Sequence, residues 1–211
     1  MVHRSILVKI LPQQYVAEFL DGNMFLNTNE YFGTIDESDI VRYDPHDGIV
    51  ESRQVETMEV RGEDDEVWLT VPTVGPMPVR NRLSKFQNIL CLYTITDLPN
   101  EEFNDLNLKF GDTAIVILKY EEFLRRILHA AKLVDKPVLY GSVEYVDRGS
   151  HDGSMGAFKK FSELQYQHEY RFVFDKGNGE ACRLIAGNFR DITVVIKSVD
   201  IPAFRREMLT T

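Results

Sequence analysis

Two cysteines, Cys91 and Cys182, are all the thiols this chain of 211 residues contains. They lie far apart in sequence, in apolar surroundings, which excludes a disulfide framework and a cysteine-based metal site. Both are expected buried and reduced, and a cytoplasmic location follows from that. No apolar run reaches the length a bilayer requires, so no membrane segment is expected. The opening MVHRSILVKI carries only a short apolar patch before Pro12 and does not read as a signal peptide. Basic charge is scarce as well: 24 Lys and Arg against 33 Asp and Glu leave a net charge of -9 at pH 7. That excludes a general electrostatic footprint for duplex nucleic acid, although a local basic groove remains compatible with it. Glycine-rich phosphate loops are missing, in both the Gly-x4-Gly-Lys-Ser/Thr and the Gly-x-Gly-x-x-Gly form, and so is the Gly-x-Ser-x-Gly elbow of hydrolases.

What is present is an ordinary apolar content of 44%, enough to bury a real core in one domain spanning 1–211. Residues 3–10 alternate as a strand. Tyr15, Val16, Phe19 and Leu20 recur at helical spacing until Asp21-Gly22 ends the helix, and Phe25-Leu26 forms a short strand. Asn27, Thr28 and Asn29 then precede a turn carrying Tyr31 and Phe32. Residues 33–66 are polar; Pro45 and Gly48 make 42–48 a turn. Val55 to Val60 and Val67 to Val71 read as a hairpin with an acidic tip at 63–66. Residues 72–85 read as a loop with a basic end, Asn88 to Thr96 as a buried strand, and 97–105 as a polar insertion. Ala114 to Leu118 and Val138 to Val146 read as strands, and Glu121 to Lys132 as the clearest helix. A mobile Gly- and Ser-rich loop at 148–156, strands at 181–185 and 192–196, and a short helix at 204–208 complete an α+β fold with a largely antiparallel, split sheet.

The densest stretch is AFKKFSELQYQHEYRFVF, ending at Phe174. From Gln165 onward its residues alternate, which predicts a strand with Gln165, Gln167, Glu169 and Arg171 on one face. That face either lines a cleft or is plain scaffold, with Glu169 paired to Arg171 or Arg42. Asp44, His46 and Asp47 share one turn and read as an Asx turn that organises a loop, rather than as a metal site.

QQYVAEFLDGNMFLNTNEYFGTIDES and the later RYDPHDG resemble the opening of a widespread family of bacterial and phage proteins. NILCLYTIT, FGDTAIVI, FKKFSELQYQHEYRF and FRDIT follow in that family's order. Gly33 stands where the family has Arg, and Asp47 where it has Glu. More loosely, the layout is similar to the ADP-ribosyltransferase fold, including toxins of phage-defence systems. That resemblance implies NAD as substrate, with Glu169 and Gln167 catalytic and Tyr31, Arg42, Asn27 and Arg171 in contact with the NAD. It implies no metal. Glu169 would bond the ribose 2′-hydroxyl and stabilise an oxocarbenium-like centre, and Gln167 would position the acceptor. Tyr31 would stack on nicotinamide. The family's Ser-Thr-Ser motif is missing from the matching strand around Leu90 to Thr94. On the first strand His3, Arg4 and Lys9 are available. The expected acceptor is a macromolecule, protein or nucleic acid, and an antitoxin or a host or phage protein is an expected partner. Two rivals remain: a non-catalytic interaction or inhibitor protein, and a metal-dependent nucleotide-processing enzyme using Asp44, Asp47 and Glu169.

Overall fold

Alternating and helical patterns become structure in the order expected at the start of the chain. A computed structural model describes residues 5–63, 66–96 and 102–210. β1 (Ser5–Leu11) runs through a 3-10 turn into α1 (Val16–Leu20), and Gly22 turns the backbone into β2 (Asn23–Thr28). Gly22 has φ +78°, and a Cβ there would run into the Gly187 carbonyl, so the turn requires glycine. After a polar segment come β3 (Ile49–Arg53), β4 (Thr57–Val60), β5 (Leu69–Pro72) and β6 (Met77–Arg80). β7 (Asn88–Thr96) and β8 (Thr113–Ile117) lead to α2 (Tyr120–Leu133), then to β9 (Val138–Ser142), β10 (Glu144–Val146), β11 (Gly153–Ser154) and β12 (Lys159–Phe161). β13 (Glu169–Phe174), β14 (Cys182–Ile185), β15 (Thr193–Lys197) and α3 (Ile201–Thr210) finish the chain. The fold is α+β in a single domain with mainly antiparallel sheets. No helix among the described residues is long and apolar enough to cross a membrane.

The main sheet runs β14-β2-β7-β1-β8-β15, with β13 and then β9 added on the other edge of β7. One face carries Phe172 and Phe174 of β13, packed with Phe19, Phe189 and the α2 stripe of Phe123, Ile127 and Ala131. That stripe is the 3-4 spacing read from sequence. The opposite face holds a second cluster of Val8, Ile10, Tyr93, Ile95 and Val116, against which Ile201 and Phe204 of α3 pack.

Several expectations need correction. The strand expected from Gln165 begins only at Glu169; Ser162–Gln167 is a 3-10 helix, and His168 is left-handed at φ 39°, ψ 50°. Polar and aromatic residues alternate through both pieces, so the pattern does not mark where the helix ends. The stretch read as one strand at 138–146 divides at Val143: β9 pairs antiparallel with β13, and β10 pairs parallel with β12. The loop expected at 72–85 contains β6, an edge strand on β3, where Pro78 needs no ladder donor. β3 itself carried too little alternation to be expected. The glycine-rich stretch at 148–156 holds β11, also paired to β3. The closing helix starts earlier and runs longer than 204–208. The hairpin tip residues 64–65, the insertion residues 97–101, and His3 and Arg4 lie outside the described residues.

Candidate active site in the split of the sheet

A cleft opens where two strands share one edge of β7. β1 pairs with β7 from Ser5↔Thr96 to Val8↔Tyr93, then leaves it and continues along β8. β2 meets the other end of the same edge, at Asn27↔Ile89 and Thr28↔Asn88. Leu90 to Leu92 therefore have no strand on that edge among the described residues. A cavity of about 680 Å³ occupies the gap, floored by Leu90, Cys91 and Leu92. This is the size of a small-molecule or nucleotide site.

A buried ionic network forms its inner wall. β13 alternates strictly once it begins: Phe172 and Phe174 enter the α2 core, so Glu169 and Arg171 face the other way. Arg171 is fully buried; its two terminal nitrogens bind the Asp47 carboxylate at 3.0 and 2.8 Å, and its Nε binds Glu169 at 2.6 Å. Lys160 of β12 brings its ammonium to Glu169 at 2.7 Å, Gln167 Oε1 at 2.8 Å, Asp44 at 3.3 Å and Asp47 at 3.8 Å. Gln167 donates to the Val41 carbonyl at 2.8 Å, which ties the polar segment over this face. The Glu169 N–H donates to the Tyr145 hydroxyl at 2.9 Å.

Charge states follow from these contacts. Burial works against the Glu169 carboxylate, but Arg171 and Lys160 outweigh it and hold the group at about 2. Burial likewise opposes the Lys160 charge, and Glu169, Asp47 and Asp44 together hold the ammonium above the ordinary lysine range. Asp44 goes the other way: burial raises it, and Lys160 only partly counters. The Cys91 thiol is pushed up to about 12, by burial first and then by Glu169, and stays protonated.

All six residues that the resemblance assigns to the NAD site line this cleft. Tyr31 is 41% exposed and sits edge-on to Phe32 at 5.3 Å. Asn27 is half-buried at the β2 end. Arg42 is held by Asp39 at 3.0 Å and the Phe110 carbonyl at 3.0 Å, and lies over the Phe110 ring. Glu169 and Arg171 do pair with each other, so the structural ion pair and the cleft exist together. Gln167 has its amide engaged at both ends. The Asx turn at Asp44 also forms, its Oδ1 accepting from His46 N–H at 2.9 Å.

Sequence reasoning missed Lys160 and named Lys9 only as an available first-strand residue; both line the cleft. A lysine beside Phe161 in a strand-forming run was the available signal for Lys160. Among the described residues no group of histidine, cysteine, aspartate and glutamate side chains has the geometry of a metal site. Asp44, Asp47 and Glu169 do gather, but the ammonium of Lys160 stands between them, where a metal ion would have to be.

No family model, curated protein or solved structure matches the chain.

Proposed function

We propose that the cleft binds NAD and that the protein cleaves the nicotinamide–ribose bond, passing ADP-ribose to a macromolecular acceptor. One observation carries this reading: Glu169, kept ionised, opens onto the same cavity as Tyr31 and Arg42. Nicotinamide would stack on Tyr31, whose ring is accessible, and Asn27 at the β2 end would meet the polar groups of the dinucleotide. Arg42 uses one nitrogen for Asp39 and one for Phe110, which leaves N–H groups for a phosphate. As the C1′–N bond lengthens, positive charge gathers on the ribose. A carboxylate fixed beside the 2′-hydroxyl stabilises it, an effect worth roughly 10²–10³ in rate for one such group. A carboxylate has about four lone-pair positions. Lys160 and Arg171 take one on each oxygen, so acceptor capacity remains. Gln167 positions Lys160 and through it Glu169, and Arg171 does the same from the other side.

The placement of Lys160 between the three carboxylates disfavours the metal-dependent alternative. A protein acting as a phage-defence toxin would fit the NAD chemistry, with an antitoxin or other protein as partner.

Release of labelled nicotinamide from NAD tests the reading without knowledge of the acceptor, because water can take its place. Wild-type protein is expected to release nicotinamide. Glu169→Gln should lower the rate by about two orders of magnitude or more. It should still be stabilised against heat by NAD, which shows a folded site. A wild-type protein that neither binds nor cleaves NAD overturns the proposal, as does a Glu169→Gln variant with full turnover.

A further inference from the structure

Five basic side chains line the cleft, and four have a carboxylate partner. Arg42 has Asp39, Lys160 has Glu169, Arg171 has Asp47 and Arg183 has Glu18. Lys9 is different. Among the described residues its ammonium makes one hydrogen bond, to the Cys91 carbonyl at 2.9 Å, and no ion pair. The cause is the sheet split. β1 leaves β7 after Val8, the floor strand loses its neighbour, and Lys9 reaches across the opening to one of the freed carbonyls. Lys9 is half-buried and lines the cavity.

An amine so placed has little holding its proton. Burial lowers its pKa, and the nearby Arg42 guanidinium adds to this; Cys91 and Glu169 act against the shift without reversing it. Desolvation beside a second cation is the setting that activates lysine as a nucleophile. An amine that sheds its proton there is a nucleophile, in a cavity that Phe32, Tyr93 and Phe110 also line.

We propose that Lys9 is a nucleophilic amine and that the cleft takes a second class of ligand, one bearing an aldehyde or ketone, which Lys9 captures as a Schiff base. The Nζ lone pair attacks the carbonyl carbon, and the C=O pair moves to oxygen, which takes up a proton. Loss of water from this carbinolamine leaves the C=N bond, with the two amine protons ending in the released water. No oxidant or reductant is consumed. The inference does not depend on the NAD chemistry.

Pyridoxal 5′-phosphate followed by borohydride tests it on the intact protein, with peptide mass spectrometry reading the label on every lysine. At about pH 7, where the exposed lysines are almost wholly protonated, Lys9 is expected to carry several times the label of an exposed lysine such as Lys132. Its labelling rate should level off at lower pH than theirs in a series from about pH 6 to about pH 10. Pyridoxal without the phosphate should label the same residue, which separates amine reactivity from anion attraction. Lys9→Met should remove that label and leave the others. Should the variant not fold, the per-residue comparison in the wild type still decides. Label on Lys9 at or below the level of the exposed lysines, or a rate that rises with pH in step with theirs, overturns the proposal.

Discussion

Lys160→Met is the sharpest test of what the ionic network does for the fold. Methionine keeps the unbranched stem and much of the volume, so the change is one of charge. In the wild type the ammonium lies within 4 Å of three carboxylates, all nearly inaccessible to water. Without it, Arg171 still serves Asp47 and Glu169, but Asp44 loses the cation that partly offsets its burial. Removing one member of a buried pair costs about 3–5 kcal/mol. For a chain of this length that is a melting temperature lower by roughly 6–20 °C. The loss has a pH signature. Glu169 lies far below its ordinary value, so it contributes stability above that value and loses it as pH falls toward about 2. Asp44 lies above its ordinary value, so its contribution is present at low pH and lost as pH rises through the folded value. Taking away Lys160 weakens the first contribution and enlarges the second shift, and both act against the variant at neutral pH. Urea unfolding followed by circular dichroism should therefore show a gap that narrows as pH drops from about 7 to about 4. Lys132→Met, at an exposed site of α2, should stay within about 0.5 kcal/mol. A Lys160→Met cost below about 1 kcal/mol, or a gap indifferent to pH, would refute the assignment of Lys160 as the counter-charge.

Tyr31→Ala should leave the melting temperature nearly unchanged, since the ring is exposed. It should weaken NAD binding by about 1–3 kcal/mol, roughly 5- to 150-fold in Kd by calorimetry, with Tyr31→Phe close to wild type. Equal affinity in Tyr31→Ala would remove this ring from the site. Gly22→Ala should destabilise by about 2–4 kcal/mol in urea unfolding, because it combines a left-handed φ with overlap on the Gly187 carbonyl; an unchanged midpoint would mean the α1–β2 turn is laxer than its geometry implies.

Local pattern was enough for the elements whose burial is one-sided and long. α2 shows Phe123, Ile127 and Ala131 on one stripe, and β7 is a nearly unbroken apolar run, so both were legible. The pieces lost were short or two-sided: β3 and β6 pack only on a small sheet, and the 3-10 helix before Glu169 has the same polar–aromatic alternation as a strand. For the site, the residue types pointed to one cleft, but their partners did not show. Gln167 bonds Val41 across 126 positions and Arg171 binds Asp47 across 124. No spacing rule carries information over such a separation. Lys160 was invisible for a related reason. A lysine in a polar-looking run defaults to solvent, and only the three carboxylates brought in from other segments make its burial tolerable.

The network also narrows what Glu169 can do in the proposed reaction. A general base is most effective with a pKa near the working pH. Glu169 is held at about 2, so it is a poor proton acceptor at neutral pH. A group that stabilises a developing cation has the opposite requirement: it must already be charged and must not need to reorganise. Lys160 and Arg171 meet that requirement by fixing one oxygen each, at 2.7 and 2.6 Å. Their positive charge does not cancel the site, because three carboxylates face two cations. The pairing that makes Glu169 look like scaffold is thus what suits it to ribosyl-cation stabilisation and unsuits it to proton abstraction. In the proposed reaction the proton lost by the acceptor must go elsewhere than Glu169.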